Sequence, residues 1–457
     1  MIVAMSPIHL LSKARGPKNL ISRIQTIFHR FGISANKFER LLKRYSAVTH
    51  DLGCVPTFAI TAVTLKRHPN LIRELSQQGA EFAVHGYIHT DYKSLPSEEQ
   101  VKHFRKAIET FKRCRLPFTG FRAPFLRVNS KTPQVLSNLR FPYDSSCAVH
   151  WDVIDENQYT KGSWSEYIRL LDFYQSRQAQ DYLALPRSVD GFVEIPVSIP
   201  DDEAIVDRLG ITDARKISEI WETILEGTYS RGELFTIQLH PERISFCENA
   251  LASVMQKVKR LDPPVWVATL REIAEWWKEK KRFKLEISSE SNGRYRVRAD
   301  SSDRATLLLR NCKTSVPVDK WFDGYQNITA RDFVLESPSR PVIGVGKDSS
   351  PSAVSFLRKE GYIVEQSDKS DNYGIYLNNL AQFNEADEKP LSLEIEQSDA
   401  PLLRYWRWPN QARSALSVTG DIDSITLTDF ILRFLENGLV NLRRNGRQLS
   451  NNAEENL

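Results

Sequence analysis

The stretch Glu81-Phe82-Ala83-Val84-His85-Gly86-Tyr87-Ile88-His89 is an apolar run that ends on a histidine, with a second histidine four residues on. A later run, Leu234-Phe235-Thr236-Ile237-Gln238-Leu239-His240, also ends on a histidine. Short apolar runs of this kind read as strands buried on both faces, and such strands belong to parallel sheets covered by helices. The segments between them carry helical spacing. Phe38, Leu41, Leu42, Tyr45 and Val48 mark one helix before the buried strand Cys54–Ile60. Residues 69–78 predict a helix stopped at Gly79, because glycine accepts the positive φ that follows a helix end. Val101, Phe104, Ala107, Ile108 and Phe111 mark another. Further strands are expected at 118–122, 191–197, 234–239 and 265–268, and a last helix at about 270–281 carries Trp276 and Trp277. From about 20 to 282 the chain therefore predicts an α/β unit with parallel strands, as an open sheet or a barrel. In a barrel, chemistry collects at the C-terminal strand ends, which is where His85 and His240 fall.

After Phe283 the pattern changes, and 457 residues are enough for two or three domains. Leu285–Val297 and Ala305–Leu309 alternate apolar and polar residues around Asn292-Gly293, a hairpin signal, and predict a small β-rich domain over 283–340. Residues 341–400 read as strand, helix and strand followed by an acidic, polar linker. Residues 401–440 hold the aromatic cluster Tyr405-Trp406-Arg407-Trp408-Pro409, a strand at Ala415–Thr419, the sequence Gly420-Asp421-Ile422-Asp423 and a helix near 426–436. The residues after that are expected to be disordered.

A net charge of +5 is small for this length and argues against a nucleic-acid partner. The charge is uneven. Residues 1–50 hold nine Lys and Arg against Glu39 alone, while residues 361–400 hold nine acids against two Lys. The basic N-terminus reads either as solvated helix faces or as a peripheral contact with an anionic membrane surface. Five scattered cysteines with no CxxC pair argue against a disulfide framework and against a thiolate zinc site. No apolar run reaches the ~18–20 residues of a membrane span. Met1 to Leu11 makes a poor signal peptide, so a cytoplasmic location is expected. Oligomeric state is not legible.

Several residues can carry chemistry. His85 and His89 can bind one divalent metal as neutral imidazoles, or one can be buried and the other at the surface. Asp91 is placed to accept from an imidazole N–H. Arg122, in Phe121-Arg122-Ala123-Pro124-Phe125, can orient a carboxylate or a substrate oxygen. Asp144-Ser145-Ser146 and Trp151-Asp152 supply polar and aromatic groups fit for a sugar groove, or cap loops. His240 can act as a general acid or be structural. Asp190, Asp201, Asp202 and Glu203 flank the strand around Ile195 and read as loop acids. Asp421 and Asp423 share one face of an extended strand, which suits one metal ligand plus one general base.

Together, Pro56-Thr57-Phe58, His85-Gly86-Tyr87-Ile88-His89, Arg122-Ala123-Pro124-Phe125, Tyr143-Asp144-Ser145-Ser146 and Leu239-His240 resemble, in order, the polysaccharide deacetylases of the NodB-homology type. The resemblance covers about 30–280. It implies a distorted (β/α)7-type barrel, followed here by the small β-rich domain and a C-terminal α/β extension. It also implies metal-dependent hydrolysis of N- or O-acetyl groups on a carbohydrate, with zinc as the expected divalent metal. By it His85 and His89 are metal ligands, Arg122 orients the base and His240 is the acid. Phe125, Tyr143, Asp144, Trp151 and Leu239 are assigned to substrate binding, with Leu239 lining the acetyl pocket. The family opens with a strand ending in paired aspartates, and Thr26-Ile27-Phe28-His29-Arg30-Phe31-Gly32 at the matching place holds no carboxylate. Thr419-Gly420-Asp421-Ile422-Asp423-Ser424 looks like a variant of that motif, with Asp421 the base and Asp423 the third ligand. Three arrangements follow: the tail completes the barrel, the tail begins a second, truncated unit, or the first domain is a degenerate, glycan-binding relative. A related C–N hydrolase acting on a small amide is a further alternative.

Overall fold

The computed structural model describes residues 34–291, 293–433 and 435–436. The Thr26–Gly32 segment, most of the basic N-terminus and the final residues lie outside the described residues. Five parallel strands build the main sheet. Ser414–Ile422 runs through its middle, with Val265–Val267 and Thr57–Ile60 along one edge and Leu234–Gln238 along the other. Glu81–Val84 pairs with Thr57–Ile60 on the far side. The tail strand thus enters the unit formed by residues 57–267, with Asp421 in register with Ala59 and Thr419 with Gln238.

Its sequence explains how a strand with several polar residues can be central. Residues i and i+2 share a face. Leu416, Val418 and Ile422 point into one hydrophobic core, while Ser417, Thr419 and Asp421 lie on the opposite face, and all nine residues are buried. The helix Asn36–Asp51 covers this strand. Its buried stripe includes Phe38, Leu42 and Tyr45, and Tyr45 donates its hydroxyl to the Thr419 carbonyl at 2.9 Å. The helices Pro69–Gln77 and Ser97–Arg113 lie where their spacing places them, and Gly79 takes φ +105°.

Beyond Val84 the pairing continues by single bridges to Phe121 and on to Asp144. Tyr143–Asp144 then pairs in parallel with Phe192–Glu194, and Ala148–His150 with Val197–Ile199. Among the described residues no ladder joins Val197–Ile199 to Leu234–Gln238. Instead the Thr236 amide donates to Ser198 Oγ at 3.3 Å. The expected α/β class with parallel strands is present, as an interrupted succession of short parallel ladders.

The region after Phe283 holds antiparallel sheets and a three-stranded parallel sheet, Val364–Gln366, Arg340–Val345 and Tyr373–Leu377, flanked by the helix Pro351–Lys359. Two boundaries differ from expectation. The expected linker before residue 400 contains the helix Glu385–Gln397, closed at its start by reciprocal Asn384 and Asp387 capping bonds. Pro390 inside it hides the helical pattern, yet Leu391 and Ile395 are buried. The 401–440 segment is not one piece. Leu402–Pro409 pairs antiparallel with Ala305–Arg310, and the chain then turns at Asn410 and Gln411, both at positive φ, to enter the parallel sheet. Leu270, Ile273, Trp276 and Trp277 share one core with Leu307–Leu309 and Trp408, so the two regions are packed together. No described helix is long and apolar enough to cross a membrane. The five cysteines form no disulfide.

Candidate metal centre and active site

His85 follows the Glu81–Val84 strand, and Gly86 turns the chain with φ +84°. A Cβ at Gly86 would lie 2.9 Å from the Ile88 carbonyl, so only glycine fits this turn without a shift. His85 Nδ1 lies 2.9 Å from the Arg122 carbonyl, which can only accept, so Nδ1 carries the proton in the neutral ring. The Nε2 lone pair therefore faces the tail strand. It lies 3.3 Å from Asp423 Oδ1 and 3.9 Å from Asp421 Oδ2. His89 Nε2 lies 3.1 Å from Asp423 Oδ2. The ligand atoms of His85, His89 and Asp423 all fall within 4.8 Å of one another.

Lone pairs and carboxylate oxygens converging in a buried space require a cation or a proton between them. Burial drives His89 down to about 4, with Arg433 adding to the effect, which favours the neutral form of the ring that a metal takes as a ligand. Burial raises the Asp423 carboxyl, but His89, Arg433 and the imidazole hydrogen bonds outweigh it and hold it well below the usual range. Two imidazoles and one carboxylate are a donor set that fits Zn²⁺ with positions left open. Arg433, from helical residues 427–433, donates to Asp423 Oδ2 at 2.8 Å.

Asp421 sits beside this cluster in a fixed pose. Arg122 Nη1 donates to its Oδ1 at 3.0 Å and Gln238 Nε2 to its Oδ2 at 3.0 Å. Arg122 is 1% exposed and is itself held by Ser145 and Thr419 through three contacts: Nε to the Ser145 carbonyl, Nη2 to Ser145 Oγ and Nη1 to Thr419 Oγ1. Ser146 Oγ accepts from the Ala123 amide and donates to Asp144. The Asp144-Ser145-Ser146 segment therefore braces the arginine turn. Burial lifts the Asp144 carboxyl to about 7.

His240 follows Leu234–Gln238. Its Nδ1 lies 2.7 Å from Asp202 Oδ1, its amide donates to Asp202 Oδ2 at 2.7 Å, and Arg243 Nη1 reaches the same carboxylate. Burial disfavours the imidazolium, but the Asp202 charge outweighs it and lifts His240 to about 10. The pair is a cationic acid with a buried counter-charge.

The structure brings His85, His89, Arg122, Asp421 and Asp423 into one cluster, and Phe125 joins it edge-on to His89 with ring centroids 4.4 Å apart. Phe125 and Leu126 both have positive φ, a backbone cost of about 1–3 kcal/mol each that positions the Phe125 ring. Leu239 is wholly buried, with its amide on the Thr419 carbonyl. Trp151 is buried beneath the Arg231 guanidinium. Tyr143 is directed elsewhere, donating to Glu81 at the far end of the strand that leads to His85. Asp91 does not serve an imidazole; it accepts from Arg127 and from the Lys93 amide. The backbone carbonyl of Arg122 takes the role expected of Asp91 because it lies directly behind the His85 ring.

Sequence reasoning missed three contributors. Asp202 was read as a loop acid, although an acid just past a strand end was a usable signal. Gln238 and Arg433 carry no local signature, since each acts on a residue distant in sequence.

Residues 39–143 match the family model described as polysaccharide deacetylase. A peptidoglycan deacetylase-like protein of Gibberella zeae is 24% identical over 241 residues, covering 48% of this chain and 69% of that protein. A putative polysaccharide deacetylase from Mycobacterium smegmatis is 23% identical, covering 57% of this chain and 82% of its own, with TM-score 0.41. A probable polysaccharide deacetylase from Pseudomonas aeruginosa is 18% identical, covering 58% and 79%, with TM-score 0.42. The expected family resemblance is thus matched by the polysaccharide deacetylase model over residues 39–143 and by a deacetylase-like relative.

Proposed function

We propose that the protein is a metal-dependent hydrolase that removes acetyl groups from an N-acetylated or O-acetylated carbohydrate, with its catalytic acids supplied by the C-terminal strand. The observation that carries this reading is the placement of Asp421 and Asp423 beside His85 and His89. We also read the interrupted parallel ladders as the family's distorted seven-stranded barrel, with Ser414–Ile422 standing for its first strand.

His85, His89 and Asp423 would hold the metal, with zinc the best fit to the donor set. When bound, it supplies Lewis acidity that polarises an acetyl carbonyl and acidifies water. The chain's own residues do the proton work. Asp421, fixed by Arg122 and Gln238, takes a proton from the water as its oxygen attacks the acetyl carbon. His240 then donates its proton to the leaving nitrogen as the C–N bond breaks, releasing acetate and a free amine. Asp202 keeps the imidazole charged and oriented through Nδ1, which leaves Nε2 for the donation.

The test is acetate release from N-acetylglucosamine oligomers by the metal-loaded protein. Wild type should release acetate, and Asp421→Asn should lose on the order of 10²–10⁴-fold in kcat while keeping its metal. Acetate release that persists unchanged in Asp421→Asn contradicts the assignment. A wild type that hydrolyses ureides but no acetylated sugar points to a small-amide hydrolase instead.

A further inference from the structure

A cavity of about 940 Å³ lies between the helix Leu270–Lys280 and the helix Pro351–Lys359, with Tyr405 and Trp406 of the Leu402–Pro409 strand on its wall. None of its lining residues belongs to the histidine–aspartate cluster. Its volume falls at the upper end of the ~300–1,000 Å³ typical of small-molecule sites. Its charge is one-sided. Lys280, Lys281, Lys284, Arg358 and Lys359 line it, and no acidic residue does.

Three polar atoms in this wall lack a partner. Lys280 Nζ, Ser188 Oγ and Ser349 Oγ are buried with no hydrogen-bond partner among the described residues. Buried donors are nearly always satisfied, and one left open is costly, more so when charged. The nearby carboxylates are already engaged: Glu360 accepts from Arg407 at 2.6 Å, and Glu365 from Arg340. Lys280 Nζ instead rests 3.7 Å over the Trp277 ring. Burial drives Lys280 down to about 7, and burial followed by repulsion from Lys359 and Lys278 lowers Lys281. Clustered ammonium groups beside open donors favour an anion that would pair them.

We propose that this cavity binds a small organic phosphate. Ammonium groups and hydroxyls spread around the wall suit a tetrahedral oxyanion with several acceptor oxygens. A carboxylate would be better matched by a paired guanidinium fork, and only one arginine is present. The cavity exceeds what a phosphate alone fills, and Phe283, Leu285 and Val354 offer an apolar wall for the organic part.

Calorimetric titration of the full chain with pyrophosphate and with glucose 1-phosphate tests this, with N-acetylglucosamine as the uncharged control. Both phosphates should bind, more weakly as salt rises. A lost charge-assisted bond is worth about 1.5–3 kcal/mol, so Lys280→Met should weaken binding by about tenfold or more. Lys281→Ala combined with Lys359→Ala, both at exposed positions, should do the same irrespective of how Lys280→Met folds. The proposal is overturned if neither phosphate binds at millimolar concentration, if the double variant binds as wild type does, or if N-acetylglucosamine binds as tightly as glucose 1-phosphate. Acetate release is expected to be unaffected by the double variant, so failure here is separable from failure of the deacetylase reading.

Discussion

His240 and Asp202 show how one neighbour sets the working range of a catalytic group. The imidazole lies at about 10, above its ordinary 6.5, because the buried Asp202 charge outweighs desolvation. A raised value means that the charged form's stabilisation is fully present below about 6.5 and is lost as pH rises through about 10. The basic limb of the kcat/KM profile should therefore fall near pH 10 in wild type. In Asp202→Asn burial and the Arg243 charge both disfavour the imidazolium and only the smaller Glu242 effect opposes them, so the limb should move to 6.5 or lower. A pH–rate series on both proteins checks this, and an unmoved limb would assign the titration to another group. At this scale His85, Arg122 and His240 were legible because each follows an apolar run, and His89 because of its spacing from His85. Gln238 and Arg433 were not, because a hydrogen bond across 183 or 10 residues of sequence leaves no local pattern.

Among the elements, the strand Ser414–Ile422 decides the architecture. Its apolar alternation predicted a strand at Ala415–Thr419, but its polar face gave no sign of a central place in the sheet. That face is polar because it lines the site, where Thr419 and Asp421 both receive Arg122. Gly420, on the opposite face, is fixed by crowding. A Cβ there would meet the Leu239 carbonyl at 2.7 Å, the Tyr45 ring at 3.0 Å and the Phe58 ring at 3.1 Å. Gly420→Ala should therefore cost about 1–3 kcal/mol, read from denaturant unfolding. Unchanged stability would show that the strand has more room than this register allows. The helix Glu385–Gln397 is the counter-example for legibility, since Pro390 and a run of acids read as linker until the capping pair Asn384 and Asp387 is weighed.

For the whole molecule, the consequence is that the chain's two ends of the catalytic unit depend on each other. Parallel strands 57–60 and 234–238 flank a strand supplied more than 330 residues after the first of them. The intervening sheets share a core with the helix Leu270–Lys280 and hand the tail strand over at Asn410 and Gln411. A chain ending at residue 411 should therefore lose its central strand and both carboxylates. Its thermal melt should show no cooperative transition, whereas a sharp melt matching wild type would mean that the unit folds without its tail. The sequence made the displaced aspartate motif visible but left three arrangements open, because strand order in a sheet is set by long-range packing that local pattern does not encode.

The most direct test is zinc titration by calorimetry on metal-stripped wild type and Asp423→Ala. Loss of an outer hydrogen-bond partner alone costs a metal site about 10–100-fold, so loss of a ligand should cost on the order of 100-fold or more. Wild type should bind a single zinc and Asp423→Ala should bind it at least that much more weakly. Equal affinity in the two proteins, or no zinc bound by wild type, would contradict a metal centre completed by the C-terminal strand.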